Sequence, residues 1–443
     1  MTFDELNLNK PLLNALSDMG CVNPTTIQEK SFSVMMSGRD MIGIAQTGTG
    51  KTLAYLLPCI RLWSFPKDKL PQILIIVPTR ELVVQVVKVV EELTAYMNVR
   101  VVGAYGGTNI KTQIHGINLG VDVMVATPGR LLDLVLNGSL RLKNIKKLII
   151  DEVDEMLTLG FRTQLTGILD LLPAKRQNLM FSATITEDIE ILIKQFFNNP
   201  VKIEAAPTGT PLENINQKAY HVPNFYTKVN LLKLLLNNKE EFHKVLVFAE
   251  SKKMADELFE LINRGFPGQI GVIHSNKSQN NRFETVKRFQ EGDYRVLIAT
   301  DIISRGLDIS EVSHVINFDT HEVPENYMHR IGRTGRAKEK GIAISFITPK
   351  EEASQHLIEE LMNYKIPILE LPEELEISEL LTEDEMPKVQ MKNVLLKLPK
   401  KVESGPAFHP KKEKNLKVYN HLTRAEKMKQ KYGKPKTRGQ KKK

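Results

Sequence analysis

The sequence has few of the residues that cross-link a protein or anchor it in a membrane. Its 443 residues include two cysteines, Cys21 and Cys59, and their spacing fits neither a disulfide framework nor a zinc site. A reducing compartment fits this composition. No segment approaches the roughly 18 uncharged apolar residues that a transmembrane helix requires. The N-terminus is acidic and lacks the apolar core of a signal peptide, so we expect a cytoplasmic protein without a membrane partner.

Positive charge is scarce in the body of the chain and concentrated at its end. Residues 387–443 hold 19 Lys and Arg against three acidic residues. The remainder holds 42 basic and 49 acidic residues of the totals of 61 and 52, so the net charge of +9 comes from the tail. Such asymmetry suggests a nucleic-acid or ribosome-like partner for the tail. On charge alone, a solubilising tail is an equal alternative.

Short apolar runs alternate with amphipathic stretches, which predicts an α/β fold with parallel sheets flanked by helices. The predicted strands are residues 41–45, 73–77, 121–126, 147–150 and 178–181, then 244–249, 270–273, 296–299, 312–318 and 341–347. A Pro- and Gly-rich stretch separates the two series. We therefore predict two tandem domains, at 1–206 and 216–368, joined by a linker at 207–215. An acidic segment at 369–386 and a basic, largely disordered tail at 387–443 follow them.

A glycine-rich loop between a predicted strand and a predicted helix at 52–60 has the pattern of a phosphate-binding loop. Its residues are Ala45-Gln-Thr-Gly-Thr-Gly-Lys-Thr52, with Ala45 where the strict pattern has glycine. The backbone N–H groups of Gln46, Thr47, Gly48, Thr49 and Gly50 are expected to face ATP phosphates. Lys51 would neutralise the β and γ phosphates, and the Thr52 hydroxyl would bind Mg²⁺. A plain glycine-rich turn is the alternative.

Two clusters of charged residues fit the same chemistry. Asp151 and Glu152 follow a predicted strand, where a carboxylate is suited to hold Mg²⁺ and another to deprotonate the attacking water. Residues 329–336 carry three arginines, and a guanidinium that reaches across a cleft stabilises charge on a transferring phosphoryl group. Taken alone, the first cluster also fits a solvated loop and the second an arginine-rich surface.

In this order, the motifs resemble those of DEAD-box RNA helicases, and the resemblance extends from Phe3 to about Pro349. It implies two tandem RecA-like domains, ATP and Mg²⁺ as cofactors, and RNA as partner. Phe3, Gly20 and residues 24–28 resemble the adenine-reading element of the family. There Gln28 would hydrogen-bond adenine, since an amide both donates and accepts, and Phe3 would pack on the same pocket.

The resemblance also assigns residues to RNA, to ATP and to the coupling between them. It implies RNA contacts, mainly to the backbone, by Pro78, Thr79, Arg80, Gly106, Gly107, Thr127, Pro128, Gly129, Arg130, His274, Gln279, Arg282, Thr300 and Asp301. It gives Gly306 and Asp308 contacts to ATP, and it brings Arg333 and Arg336 to the γ-phosphate. Asp154, Ser182, Thr184 and His329 are implied to couple hydrolysis to RNA binding.

One residue departs from the family pattern. Val153 stands where the acidic motif of the family has alanine. The carboxylates of Asp151, Glu152 and Asp154 remain, so magnesium binding and water activation are expected to remain too. The added methyl groups lie next to Asp154, and the efficiency of coupling is therefore the property that we expect Val153 to affect.

We predict an RNA-stimulated ATPase that opens short RNA duplexes or remodels RNA–protein complexes, and we expect a monomer. Ribosomal precursors or RNA-turnover complexes are expected partners of the tail. Two alternatives remain open: a clamp that grips RNA in response to ATP without hydrolysing it, and a DNA helicase built on the same core. In the tail, apolar residues at three-to-four spacing predict one helix that ends at Gly433.

Overall fold

The computed structural model describes residues 2–45, 49–65, 68–204, 214–301, 309, 312–321, 323–335, 341–386 and 424–432. Its unit Met1–Met386 contains two seven-stranded parallel sheets within these residues. The strands of the first sheet are β1 Met41–Ile44, β2 Ile73–Ile76, β3 Val101–Ala104, β4 Val123–Ala126, β5 Lys147–Ile150, β6 Gln177–Ser182 and β7 Val201–Glu204. Those of the second are β8 Ile215–His221, β9 Val245–Phe248, β10 Ile270–Ile273, β11 Val296–Ala299, β12 His314–Asn317, β13 Gly341–Ile347 and β14 Ile368–Leu369.

Helices cover the faces of both sheets. A short 3-10 helix, Phe3–Leu6, comes first. Around the first sheet lie α1 Lys10–Asp18, α2 Thr26–Met36, α3 Lys51–Arg61, α4 Arg80–Leu93, α5 Ile110–Leu119, α6 Pro128–Leu136, α7 Val153–Thr158, α8 Arg162–Leu171 and α9 Glu187–Phe196. Around the second lie α10 Phe225–Asn237, α11 Lys252–Asn263, α12 Gln279–Glu291, α13 Pro324–Ile331 and α14 Glu352–Met362. Among the described helices, none combines the length and apolarity needed to cross a membrane.

The two sheets have the same topology. The first has the strand order β3-β4-β2-β5-β6-β1-β7 and the second β10-β11-β9-β12-β13-β8-β14, so each strand of the second lies seven places after its counterpart. The shared strand order confirms the predicted pair of tandem parallel α/β domains. The predicted domain limits remain predictions, and most of the predicted linker lies outside the described residues.

Each sheet separates two apolar layers, because successive side chains of a strand point to opposite faces. In β2, Ile73 and Ile75 belong to one cluster of buried side chains, and Leu74 and Ile76 belong to another. Strands covered on both faces form nearly continuous apolar runs. Such runs are easily recognised in a sequence, and every strand predicted from them is present in the structure.

The strands that were not predicted lie at or beside the edges of the sheets. These are β3, β7, β8 and β14. In β7, Val201 and Ile203 alternate with the exposed Lys202 and Glu204, as expected for a strand with one face in solvent. Such a strand contains no continuous apolar run, so it does not stand out in the sequence.

The acidic segment lies against the second domain. Leu371 and Leu375 pack on its apolar core. Glu385 accepts hydrogen bonds from the backbone N–H of Phe225, at 2.7 Å, and from that of Thr382, at 2.9 Å. The carboxylate of Glu385 therefore lies at the N-terminus of α10, which favours negative charge. We refer to residues 370–386 as the acidic strap.

In the tail, the structure describes one helix, α15 Arg424–Tyr432. Its last residue directly precedes Gly433, where the sequence predicts the helix to end. The earlier part of the predicted helix lies outside the described residues.

Candidate active site and nucleic-acid interface

Three of the predicted motifs lie at one edge of the first sheet. The strands β5, β6 and β1 are neighbours in that order. The acidic motif follows β5, Ser182 ends β6, and the phosphate-binding loop follows β1. The carboxyl ends of parallel strands meet at one edge, which is where ligands bind in open α/β sheets. The topology therefore brings these motifs together although the chain separates them.

The described part of the phosphate-binding loop has the backbone geometry that an anion site needs. Gly50 adopts φ +85°, a left-handed conformation, and precedes α3. A Cβ at this position would lie 2.5 Å from Nε2 of Gln28, so a larger residue would collide with the adenine-reading element. The predicted helix at 52–60 is present as α3, which begins one residue earlier, at Lys51. Lys51 is buried, and no described atom forms a hydrogen bond with its ammonium group. Gln46, Thr47 and Gly48 lie outside the described residues.

The adenine-reading element is hydrogen-bonded to this loop. Nε2 of Gln28 donates to the carbonyl of Gly50 at 3.0 Å, and Oε1 accepts from the backbone N–H of Thr25 at 2.9 Å. The hydroxyl of Thr25 donates to the carbonyl of Thr49 at 2.8 Å. Phe3 is buried in the adjoining core. One donor and one acceptor site of the Gln28 amide remain for a base.

The acidic motif places two buried carboxyl groups beside Lys51. Desolvation raises the pKa of Glu152 to about 7, and the positive charges of Lys51 and Arg333 oppose this rise. Desolvation also raises the pKa of Asp151, again opposed by Lys51. Glu152 has φ +53°, which is uncommon for a residue other than glycine. Perturbed carboxyl groups and backbone strain of this kind are typical of functional sites.

The third carboxylate of the acidic motif binds the segment that follows β6. Oδ2 of Asp154 accepts hydrogen bonds from the backbone N–H groups of Ala183, at 3.1 Å, and Thr184, at 3.2 Å. It also accepts from the Thr184 hydroxyl at 3.3 Å. Val153 is fully buried on the other side, in the apolar layer of the sheet. The predicted coupling residues Asp154 and Thr184 are therefore in contact, and Val153 does not prevent this.

In the second domain, one of the three clustered arginines is structural. Arg330 donates two hydrogen bonds of 2.6 Å to the carboxylate of Asp301 and one to the carbonyl of Asp319. Arg330 was not singled out in the sequence. Asp301, which the resemblance assigns to RNA, has both carboxylate oxygens engaged by this pair, so its contact with RNA stays a prediction.

Arg333 lies in the turn after α13, and its Nε donates to the carbonyl of His329 at 3.4 Å. It is buried, and its charge acts on Glu152 of the first domain. Three further residues assigned to ATP, Gly306, Asp308 and Arg336, lie outside the described residues.

The residues assigned to RNA in the first domain occupy the ends of three neighbouring strands. The strands β3, β4 and β2 are adjacent, and they precede Gly106, Thr127 and Thr79 respectively. Thr79 and Thr127 are the residues before α4 and α6. Arg130 donates to Oε1 of Gln113 at 2.7 Å. Helix N-termini attract anions because their N–H groups are unpaired, and this edge therefore suits a phosphate backbone.

The equivalent edge of the second sheet carries the other residues assigned to RNA. His274 follows β10 and Thr300 follows β11, and these strands correspond to β3 and β4. The His274 ring is buried and its Nε2 lies 2.9 Å from Oδ1 of Asp256. The ring therefore faces the protein, which leaves the backbone at this position for RNA, as the resemblance implies.

A polar cluster joins the two domains. The Arg282 guanidinium lies 2.9 Å from Oε1 of Glu81, and Nε2 of Gln279 donates to the same oxygen at 3.0 Å. Arg80 lies 3.4 Å from Oε1 of Gln279. The sequence did not single out Glu81, because nothing near it in the chain indicates a partner so distant.

Family models match both halves of the chain. The model described as "DEAD/DEAH box helicase" matches residues 25–192, and "Helicase conserved C-terminal domain" matches residues 227–338. The DEAD-box ATP-dependent RNA helicase CshA of Geobacillus kaustophilus is 40% identical over 374 residues, which cover 84% of this chain and 79% of the relative. CshA of Bacillus subtilis is 37% identical over 373 residues, covering 84% and 74%.

Solved structures of RNA-bound helicases superpose on most of this chain. Dbp5 of S. cerevisiae bound to RNA and ADP BeF3 superposes with a TM-score of 0.76 at 29% identity, covering 83% of this chain and 95% of Dbp5. The helicase Mss116 bound to ssRNA and UDP-BeF gives 0.77 at 26% identity, covering 85% and 81%. These matches confirm the tandem RecA-like fold and the resemblance seen in the motifs. The chain belongs to the DEAD-box family of ATP-dependent RNA helicases.

Proposed function

We propose that ATP is hydrolysed between the two domains by the buried residues Lys51, Asp151, Glu152 and Arg333, together with Arg336, which lies outside the described residues. The observation that carries this proposal is the convergence of Lys51, Asp151 and Glu152, all of them buried, at the carboxyl edge of the first sheet, where the charge of Arg333 from the second domain also acts on Glu152. An arginine so placed stabilises charge on the transferring γ-phosphate, while Lys51 neutralises the β and γ phosphates.

Glu152 acts as the general base that orients and deprotonates the attacking water. A base works best when its pKa is close to the working pH, and burial brings the pKa of Glu152 to about 7. The contacts of Asp154 with Ala183 and Thr184 then transmit the state of the acidic motif to the segment after β6. Ser182 and His329 complete this coupling.

Asp151 and Thr52 fit a magnesium ion shared with the nucleotide. The described residues contain no group of three or more side chains of the kind that builds a protein-only metal site. Mg²⁺ in nucleotide sites needs only one or two protein oxygens, because phosphates and water supply the other ligands. The buried Asp151 carboxylate and the Thr52 hydroxyl provide that set. Once bound, Mg²⁺ neutralises charge on the β and γ phosphates.

The RNA strand lies along the corresponding edges of the two sheets. Its phosphates are bound by Thr79, Arg80, Thr127 and Arg130 of the first domain, and by the segments that contain His274 and Thr300 in the second. Backbone contacts carry little sequence information, so we expect weak sequence preference. Contacts with 2′-hydroxyls would favour RNA over DNA.

The basic tail adds a second, salt-sensitive attachment to RNA. Its 19 basic residues suit phosphate neutralisation, and ribosomal precursors or RNA-turnover complexes are the partners we propose. We also propose a cytoplasmic location, in keeping with the low cysteine content of the sequence, and a monomeric state.

The test compares RNA with DNA and the wild type with Glu152→Gln. We expect RNA to stimulate ATP hydrolysis and single-stranded DNA of the same sequence to do so far less. Glu152→Gln should retain ATP-dependent RNA binding and lose roughly 100- to 10,000-fold in single-turnover hydrolysis, since an amide cannot accept the proton. Equal stimulation by DNA would favour the DNA-helicase alternative. Near-normal turnover of the Gln variant would remove Glu152 from the role of base.

A further inference from the structure

Tyr55 lies on the same face of α3 as Lys51, the proposed phosphate ligand, and Thr52, the proposed magnesium ligand. It follows Lys51 by four positions and Thr52 by three, and residues at these spacings are neighbours on a helix. Its side chain is one of the largest fully buried side chains in the described part of the chain. A tyrosine at this depth carries a hydroxyl group that has to be accommodated inside the protein.

The ring of Tyr55 reaches across the sheet toward Asp151. It packs on Phe181 of β6, with ring centroids 5.4 Å apart and planes inclined by 55°. β6 lies between β1, which leads to α3, and β5, which leads to Asp151. The parallel register pairs Ile150 with Met180, so Asp151 follows beside Phe181. The register therefore brings the aromatic side chain and the carboxylate together.

The hydroxyl of Tyr55 lies beside both proposed magnesium ligands. The Thr52 hydroxyl and the Asp151 carboxylate are its polar neighbours. Among the described residues, however, no atom meets it with the geometry of a well-aligned hydrogen bond. Most buried polar side-chain atoms do have a partner. A buried hydroxyl that faces two metal-binding oxygens without completing a bond indicates a contact that tightens when the site is filled.

We propose that Tyr55 is a positioning residue for the magnesium site: its hydroxyl donates to Asp151 and fixes the orientation in which Asp151 and Thr52 receive Mg²⁺ with the nucleotide. This inference rests on the magnesium roles proposed above for Asp151 and Thr52. An ionised carboxylate only accepts hydrogen bonds, so a phenol is a suitable partner. Hydrogen bonds to metal-binding carboxylates orient them and tune metal affinity.

The change Tyr55→Phe isolates this role. It keeps the ring that packs on Phe181 and removes only a hydroxyl that lacks a well-aligned partner, so the fold should not lose stability. The Asp151 carboxylate loses the phenol and keeps the hydrogen bond that the backbone N–H of Glu152 donates to Oδ1 at 3.0 Å, so its second oxygen is held less firmly. Binding of a divalent ion should weaken, whereas binding of a metal-free nucleotide should not change.

The experiment titrates Mn²⁺ into the full-length chain saturated with ADP and follows the free ion by electron paramagnetic resonance. We expect the Mn²⁺ dissociation constant of Tyr55→Phe to rise roughly 10-fold, as for other residues that support metal ligands. Affinity for ADP in the presence of EDTA and the melting temperature should match the wild type. Tyr327→Phe is the matched control, because Tyr327 is also buried but its hydroxyl binds Gln217 at 2.8 Å, in the second domain.

Asp151→Asn separates failure of this inference from failure of the proposed function. If Asp151→Asn weakens Mn²⁺ binding and Tyr55→Phe does not, the positioning role is overturned and the magnesium site stands. If Asp151→Asn leaves Mn²⁺ binding unchanged, the magnesium assignment is wrong, and the role of Tyr55 falls with it. An equal loss of affinity in Tyr327→Phe would also overturn the inference, because the effect would not be local.

Discussion

Glu81 and Arg282 form a buried ion pair of 2.9 Å that joins the first domain to the second. Their side chains are about 5% and 11% exposed, so solvent screens the pair only weakly. Gln279 donates to the same oxygen of Glu81. Breaking one partner of a buried pair leaves the other charge uncompensated, so this contact between the domains depends on both residues.

The first prediction concerns this pair. In a cycle of Glu81→Gln, Arg282→Met and the double variant, we expect a coupling energy of about 1–3 kcal/mol in the affinity for single-stranded RNA with ADP–beryllium fluoride. Without nucleotide the coupling should vanish, because the domains need not be in contact. Lys88→Met with Glu92→Gln is the control, since that pair lies on the same helix and is exposed. Additive effects at Glu81 and Arg282 would exclude a role in closure.

The second prediction is the pH dependence of hydrolysis. A general base must be ionised, and the pKa of Glu152 is about 7. The single-turnover rate should therefore rise as pH increases through about 7 and level off above it. Affinity for a fluorescent ATP analogue, measured across the same range, should not follow this curve. A rate that stays flat from acid to alkaline pH would mean that the step being measured does not use Glu152 as base.

Sequence and structure agree where burial dictates the residue type. The central strands are apolar on both faces, so their runs stand out, and the phosphate-binding loop and acidic motif follow such strands directly. Contacts between distant parts of the chain were not predictable. Glu81 and Gln279 are 198 positions apart, and nothing near Glu81 indicates its partner. Likewise, the sequence does not show which arginine between 329 and 336 binds Asp301, because that pairing depends on how α13, which packs beside β12, lies relative to the end of β11.

The third prediction separates two roles of Gln28. Besides the proposed contact with adenine, its amide donates to the Gly50 carbonyl and accepts from Thr25. Gln28→Ala should cost roughly 1–3 kcal/mol in ATP affinity and should also weaken GTP binding, since the loop itself loses a support. Gln28→Glu retains the oxygen that accepts from the backbone N–H of Thr25 but cannot donate to the Gly50 carbonyl or to adenine. If wild-type protein unwinds equally well with ATP and GTP, the adenine assignment is wrong.

The fourth prediction concerns Val153, which is fully buried in the apolar layer. Val153→Ala restores the residue of the family and should cost about 1–2 kcal/mol of stability, the value of two buried methyl groups. RNA-stimulated hydrolysis should change a few-fold at most, because Asp154 keeps its contacts with Thr184. Val90→Ala, at an equally buried position in α4, controls for stability. Loss of ATPase activity in Val153→Ala alone would show that the site is built around the valine.

The last prediction distinguishes the acidic strap from the basic tail. A chain that ends at Met386 keeps Leu371, Leu375 and Glu385 against the second domain. We expect it to melt like the full-length protein and to retain RNA-stimulated ATPase activity, because every motif lies upstream. Its RNA affinity should be lower at low salt, and the difference should shrink as salt rises, because released counterions supply the binding energy of the tail.

A chain that ends at Leu369 loses the strap as well. Leu371 and Leu375 then no longer cover the core, and the N-terminus of α10 loses the carboxylate that accepts from Phe225. We expect a stability loss of at least about 2 kcal/mol, measured by urea unfolding, from the apolar area alone. Glu385→Gln in the full-length chain is the matched control, since it removes only the charge. If the chain ending at Leu369 unfolds like the one ending at Met386, the strap does not stabilise the domain. If both bind RNA at low salt as tightly as the full-length protein, the tail either serves solubility or binds a protein.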